Sequence, residues 1–323
     1  MTSLDQFPDV VLLNILEKLD ILDVLSLRKT CRSLYNFIDD VCPNKNLQVI
    51  KITTFSNAIK LEFVLPDSQR ITVEYDDFHG TSCLVRWTKI PGNPKIKKET
   101  ILKNADFMGV ASRDLEILLK HQKTKLTYLK ISFQSEIDAE SLDFFPRILE
   151  SRPRPLQIEN LDLEVTQQSQ LLQILPFIDP DAVSYLRIER YGSRGVVLEI
   201  DDVARLENWK TLRNSIHIGW NNGNIRDFLN FSYVYVKFPI VTVEDLVFLK
   251  ETFLHSSRMN CVYLQVVTPV DLPELLEAFG PSNDDINYMG GYRKRWFFKC
   301  YSNPDDILSI GFNPRCLHFQ REN

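Results

Sequence analysis

The sequence predicts a mixed α/β chain, with a short N-terminal helical unit, a β meander, a long region of alternating strands and helices, and a closing set of strands. Three observations carry that expectation. Apolar residues recur at helical spacing over the first 43 residues. The period shifts to that of strands from about Asn46 to Thr88, and from about Asp106 onward short β-prone runs alternate with amphipathic helical segments.

In the helical unit, Pro8 suits the first turn of a helix, where its missing N–H leaves no bond unmade. Leu12, Ile15, Leu16 and Leu19 then lie on one helical face. The stretch from Asp20 to Asp23 breaks the pattern, and Asp23 is the expected N-cap of a second helix carrying Val24, Leu25, Leu27 and Cys31. After Arg32-Ser33 a third face appears at Leu34, Phe37, Ile38 and Val41, and Pro43 ends the unit. Roughly 40 residues enclose too little volume to hide three such faces, so part of this surface is expected to meet a partner. For Ile15, Leu19, Val24 and Leu34 both core packing and partner contact stay open.

The meander strands are expected at Gln48–Thr53, Ala58–Leu65, Arg70–Tyr75 and Ser82–Thr88, separated by turn residues. The basic, proline-containing run Pro91–Lys98 reads as an exposed loop. Beyond it, helices are expected at Ser112–His121, Ala139–Ser151, Gln167–Phe177, Asp202–Arg213, Thr242–His255 and Leu272–Phe279. Strands are expected between them at Thr127–Phe133, Ile158–Val165, Ser184–Arg190, Ser215–Ile218, Ser232–Phe238 and Cys261–Val267. Strand centres recur about every 25 to 32 residues, with one shorter step near 216–235, and this reads as a leucine-rich-repeat-like β/α region. The asparagine of strict leucine-rich repeats is missing, so an ordinary βαβ domain stays as the alternative. Arg295–Tyr301, Ile307–Phe312 and Cys316–Gln320 complete a C-terminal β cap. The expected division is 1–44, 45–105, 106–265 and 266–323.

Composition narrows the function. The chain has 323 residues, 44% of them hydrophobic, with 38 basic against 43 acidic side chains for a formal charge of −5. That balance argues against a protein drawn to nucleic acid or to an anionic membrane by charge alone. No apolar run approaches the ~20 residues needed to cross a bilayer. The opening MTSLDQFPDVV has an acid where a signal peptide carries basic residues, so the expected location is intracellular, cytoplasmic and/or nuclear.

Clusters that would carry chemistry are sparse. The six cysteines (31, 42, 83, 261, 300 and 316) form no C-x₂-C pair and read as free thiols, so neither a metal site nor a cofactor is expected. The five histidines are scattered. Acidic pairs at Asp39-Asp40, Asp76-Asp77, Asp201-Asp202, Asp284-Asp285 and Asp305-Asp306 are expected to cap turns and helix starts. Arg293-Lys294-Arg295-Trp296 reads as a solvated strand edge guarded by charge, with a site for phosphate or an acidic partner as the alternative, and Trp209 reads as core beside Val203, Leu206 and Leu212. Gly192-Ser193-Arg194-Gly195 is a lone G-x-x-G. No nucleophile elbow or phosphate loop occurs, so no catalytic residue is assigned.

Phe7-Pro8-Asp9, Ile15-Leu16-Glu17-Lys18-Leu19, Asp23-Val24-Leu25-Ser26-Leu27-Arg28 and Cys31-Arg32-Ser33-Leu34, in that order, resemble an F-box. Phe7 stands where Leu is more usual. Leu206-Glu207-Asn208-Trp209-Lys210, Phe228–Tyr233 and Thr242-Val243-Glu244-Asp245-Leu246 are similar to the FTH domain, which follows the F-box in a group of nematode proteins. The resemblance implies a non-catalytic substrate receptor of a Skp–cullin–F-box ubiquitin ligase. It would dock a Skp-type adaptor, and through it a cullin, by Phe7, Pro8, Leu12, Ile15, Leu16, Leu19, Val24, Leu25, Leu27, Arg28, Cys31 and Leu34. The later domain would recruit a target protein that the sequence leaves unassigned. The alternative is a ligase-independent scaffold that keeps the F-box fold. No nucleic acid or membrane partner is expected.

Overall fold

The computed structural model describes residues 4–41, 46–90, 96–134, 144–192, 195–284 and 294–322. The chain divides into two units, Met1–Leu129 with Ile137–Gln157, and Lys130–Glu136 with Ile158–Asn323.

The first unit opens with α1 (Asp9–Lys18), α2 (Ile21–Arg28) and α3 (Arg32–Val41). Pro8 starts α1 as expected, its carbonyl accepting from the Val11 and Leu12 amides at 2.9 and 3.1 Å. The cap of α2 differs from expectation. Asp20 is the N-cap, its Oδ1 accepting from the Asp23 amide at 2.9 Å, so Asp23 lies in the first turn. The carboxylate one turn earlier reaches the free amide, and that geometry decides between the two.

Next come β1 (Val49–Phe55), β2 (Ala58–Val64), β3 (Arg70–Phe78), β4 (Ser82–Ile90) and β5 (Ile96–Lys103), an antiparallel meander in sequence order. Strict alternation buries Ile50, Ile52, Ile59, Leu61, Phe63, Ile71, Val73, Tyr75, Cys83 and Val85 on one face. The turn into β4 holds His79 and Gly80 at φ 59° and 72°, the left-handed region that glycine takes without strain. β5 corrects the expectation of a loop over Pro91–Lys98. From Ile96 the chain pairs with β4, Lys97 opposite Thr88 and Lys98 opposite Trp87, while Pro91, Gly92, Asn93, Pro94 and Lys95 lie outside the described residues. Basic residues suit such an edge strand because they discourage further pairing.

α4 (Phe107–Lys120) packs on the buried face of the meander. It begins five residues before the expected Ser112, because Asp106 caps it and accepts from the Met108 and Gly109 amides. β6 (Leu126–Phe133) begins in the first unit and ends in the second, and α5 (Phe144–Glu150) packs on α4.

In the second unit β7 (Ile158–Val165), β8 (Tyr185–Arg190), β9 (Ser215–Trp220), β10 (Tyr233–Phe238) and β11 (Cys261–Val266) pair in parallel and in chain order. The connections hold α6 (Gln168–Leu172), α7 (Glu207–Thr211) and α8 (Val243–His255) together with 3₁₀ turns. Two expected helices are shorter than the sequence suggested. Gln167–Phe177 becomes α6 plus a 3₁₀ turn at Leu175–Phe177 holding Pro176, and Asp202–Arg213 becomes a 3₁₀ turn at Val203–Arg205 plus α7. Pro176 lacks the N–H that a continuous helix needs, and Leu206 takes extended backbone (ψ 137°) that ends one turn and starts the next. The short step between β9 and β10 contains only the 3₁₀ turn Ile225–Phe228.

Asparagine amides stitch these connections. Asn208 donates to the carbonyls of Leu175, Pro176 and Ile178, Asn214 to Val183, and Asn230 to Trp209 and Leu212. Trp209 lies among them at 1% exposure, edge-on to Phe228 and Phe231, its Nε1 donating to the Asp227 carbonyl at 2.8 Å.

After α9 (Leu272–Phe279) come β12 (Asn283–Asp284), β13 (Lys294–Lys299), β14 (Ile307–Asn313) and β15 (Cys316–Glu322), all antiparallel, with β15 paired to β11. Arg321 ties this cap to α8. Its guanidinium meets Asp306 at 2.9 Å and donates to the carbonyls of Phe253, Ser256 and Met259. The solvated edge expected at Arg293–Trp296 is corrected for its described residues. Trp296 is buried, Arg295 bonds Ser309 and Glu322, and β12 flanks the start of the strand, while Tyr292 and Arg293 lie outside the described residues.

Replacing Trp209 by Ala is expected to destabilise the protein by about 3–5 kcal/mol, because it removes a filled core position and the donor to Asp227. Urea unfolding of the variant beside the parent chain measures this.

Candidate functional site

The three N-terminal helices form their own small core. Leu16, Val24 and Ile38 meet Ile117 of α4, with Leu19, Leu27 and Phe37 packed against that cluster. Arg28, 3% exposed, makes a bidentate pair with Asp39 at 2.5 and 2.9 Å and lies 4.0 Å over the Tyr35 ring. Burial works to lower the pKa of that guanidinium, but the Asp39 hydrogen bond and charge more than offset it and leave it raised. Asp39 therefore ties α3 to α2 and caps no helix start, contrary to expectation. Asp76 departs likewise, pairing with Arg86 from within β3, whereas Asp77 caps a turn through the Gly80 amide. Asp285 lies outside the described residues.

Further bonds fasten these helices to the rest of the first unit. Lys89 reaches Asp20 at 2.6 Å, Lys29 reaches Asp114 at 2.6 Å, and Lys120 Nζ and His121 Nε2 lie 3.0 and 3.1 Å from the Asp39 carbonyl.

The side chains singled out from the sequence divide into three groups. Leu12, Leu16, Val24, Leu25, Arg28 and Leu34 are buried within the chain. Ile15, Leu19 and Leu27 are half-buried, and Phe7, Pro8 and Cys31 are exposed. Two residues that sequence reasoning missed belong with the exposed group, Val10 at 68% and Val11 at 39%, beside Phe7 at 41%. β-Branched valine is a poor helix former and gains nothing from water contact, so helix stability does not account for Val10 and Val11. Two adjacent valines just after Pro8-Asp9 were the available signal.

The second unit presents a polar sheet face. Its apolar residues point to the side holding the helices, and Asp162, Glu164, Arg187, Glu189, His217, Tyr235, Lys237 and Tyr263 form ladders on the other. Lys130 lies 2.8 Å from Glu164, Arg187 3.4 Å from Asp162, and His217 3.2 Å from Glu189. The His217 ring lies 4.2 Å from that of Tyr235, which stacks on Tyr263 at 4.8 Å and 5°. At the strand ends a cleft of about 440 Å³ is lined by Arg190, Tyr191, Trp220 and Lys237, among others. Gly219 has no Cβ, which leaves the space where the Glu189 carboxylate sits.

Among the described residues no group of three or more His, Cys, Asp or Glu is placed to hold a metal. Among them too, no helix is long and apolar enough to cross a membrane.

The F-box domain matches residues 4–46 and the FTH domain matches residues 139–282. The chain carries an F-box at its N-terminal end and an FTH domain downstream. It is similar to "F-box A protein 224" of Caenorhabditis elegans, 22% identical over 315 residues that cover 94% of this chain and 74% of that protein. A solved propionate kinase from Francisella tularensis aligns with 32% of this chain and 28% of its own, at 19% identity and a TM-score of 0.20, too slight a likeness to bear on fold or function. An F-box in general binds a Skp-type adaptor and through it a cullin, and F-box proteins are in general non-catalytic adaptors.

Two outcomes are expected. Asp39→Ala, which leaves Arg28 buried without its partner, costs about 3 kcal/mol, and Arg28→Met costs clearly less because Asp39 can turn to water; equilibrium unfolding of both variants compares them. The second concerns acid. The His217 ring, 3.2 Å away, holds the Glu189 carboxyl below its ordinary 4.5 against burial, and for Glu164 the bonds from Lys130 and Ser132 overcome burial with the same result. Depressed carboxyls stabilise the fold fully above their unfolded value, and the stabilisation is lost as the pH falls through the folded one. Glu164→Gln/Glu189→Gln is expected to lose less stability than the parent between about pH 5 and pH 3, as measured by tryptophan fluorescence during urea unfolding.

Proposed function

We propose that this chain is a substrate receptor of a Skp–cullin–F-box ubiquitin ligase, with Phe7, Pro8, Val10 and Val11 at the centre of its adaptor-docking surface. The observation that carries the proposal is the exposed apolar strip at the start of α1, inside the residues that match the F-box. Such a strip loses its water contact only when another chain covers it. Ile15, Leu19, Leu27 and Cys31 are the candidates to extend the surface. Leu12, Leu16, Val24, Leu25, Arg28 and Leu34 act beneath it by holding the helices in register.

The second unit is the candidate target receptor. Parallel strands in chain order are consistent with a leucine-rich-repeat-like arrangement, and the polar ladders from Asp162 to Tyr263 offer side chains that a protein target can pair with. Function in this reading is proximity. The receptor raises the effective concentration of a target lysine near a ubiquitin-charged enzyme carried elsewhere in the complex.

Phe7→Asp/Val10→Asp is expected to weaken binding of a purified Skp-type adaptor at least tenfold, read by isothermal titration calorimetry. Its melting temperature should stay near that of the parent because both side chains are exposed. Leu16 is unsuitable for this test, since its packing on Ile117 makes its truncation a folding defect. Unweakened adaptor binding by the double variant would overturn the proposal.

A further inference from the structure

At the C-terminal ends of the parallel strands, the cleft of about 440 Å³ combines a turn and two paired strands. Tyr191, Gly192, Gly195 and Val196 line it from the turn after β8. Gly192 and Gly195 take φ 97° and 91°, so the lone G-x-x-G of the sequence forms a bend beside the opening; Ser193 and Arg194 lie outside the described residues. Trp220 of β9 and Lys237 of β10, opposite each other in register, complete the lining from the sheet. In open α/β sheets this end of the strands is where ligands bind.

Arg187, Arg190 and Lys237 border the cleft together with Glu164 and Glu189. Three of the five are matched at close range. Arg187 meets Asp162 at 3.4 Å and Glu189 at 3.7 Å, Lys130 holds Glu164 at 2.8 Å, and His217 lies 3.2 Å from Glu189. Arg190 and Lys237 are not. Arg190 donates Nη1 to the Val197 carbonyl at 3.0 Å, and Lys237 Nζ lies 5.6 Å from the Tyr235 ring and acts on Glu189 only through longer-range charge. Among the described residues neither has a carboxylate within 4.0 Å, so an anion suits the cleft.

Exposed apolar side chains continue from the cleft in one direction. Tyr191 and Val196 are 38% and 36% exposed, Ile240 just past β10 is 65% exposed, and Val267 just past β11 is 56% exposed. The chain is still paired there, with the Val267 and Thr268 amides donating to the Phe238 and Pro239 carbonyls. From β8 to β11 is three strand spacings, about 14 Å, which about four extended residues cover. On the other side, past β7, come Thr166 and Gln167, which are polar. The apolar row therefore stops at the cleft. An occupant lying along the row ends where the unmatched cations are, and the end of a polypeptide that carries negative charge is its C-terminus. An internal acidic or phosphorylated residue would need a surface for chain on both sides.

We infer that this edge of the second unit is a docking site for the free C-terminus of a polypeptide with apolar final residues, its carboxylate between Arg190 and Lys237 and its preceding side chains on Trp220, Ile240 and Val267. The inference rests on the reading of the second unit as target receptor and names the part of the target that it takes.

The test uses the full chain and a library of synthetic peptides tethered by their N-termini, random over the last four residues and made with either a free carboxylate or an amide at the end. Free-carboxylate peptides with apolar endings should be retained, and amidation of a retained peptide should weaken it at least tenfold by fluorescence anisotropy. Lys237→Met should cut that preference to about twofold or less. Ile240→Asp/Val267→Asp, both exposed positions, should weaken the same peptides about tenfold with an unchanged melting temperature. Absence of saturable binding by any free-carboxylate peptide would overturn the inference, as would full binding by the Ile240→Asp/Val267→Asp chain. Equal binding of amidated peptides, or tighter binding of an amidated peptide with an internal phosphoserine, would overturn it while leaving the second unit a target receptor. Adaptor binding by the same preparation reports separately on the F-box.

Discussion

Some forty residues arranged as three amphipathic helices cannot enclose their own apolar faces, and the N-terminal half of this protein is organised around that shortage. α4 covers one side, placing Ile117 against Leu16, Val24 and Ile38. Four long-range polar contacts, Lys29–Asp114, Lys89–Asp20 and the two bonds to the Asp39 carbonyl, then hold the helices in place. What remains uncovered is concentrated at Phe7, Val10 and Val11. Among the described residues, the F-box thus has a packed underside and an apolar strip facing out at the start of α1.

The second unit meets a related demand by repetition. Each parallel strand has one apolar face, and a neighbour on either side completes a continuous core beneath the helices and 3₁₀ turns. Side-chain amides of Asn208, Asn214 and Asn230 satisfy carbonyls of neighbouring connections, which short, irregular segments cannot satisfy internally. The opposite face carries ionic and aromatic ladders, where charges are paired along the sheet and stay partly hydrated. Burial below and pairing above together explain why polar and apolar residues alternate so regularly from β7 to β11.

Much of this was legible in the chain. Alternation gave β1–β4 and β7–β11 to within a few residues, because a period of two survives in any half-buried strand. β5 was misread because Pro91, Pro94 and three lysines outweigh a short strand on local composition, and pairing with β4 is a long-range bond that composition does not record. The cap at Asp20 and the roles of Asp39 and Asp76 were missed for the same reason. An aspartate caps, pairs or bridges according to which donor lies in reach, and that donor is often far away in sequence.

The amino-acid order by itself determined the mixed α/β class, the succession of elements and the likeness of the first forty residues to an F-box, since each depends on neighbours within a turn or a strand. Only tertiary structure decided which apolar side chains of those helices face water and which meet α4, because the choice is made by residues distant in the chain, Ile117 of α4 among them. It alone brought Lys29 and Tyr75 together on one oxygen of Asp114. Local periodicity fixes which face of a helix is apolar, but what lies against that face is set by how the distant chain returns.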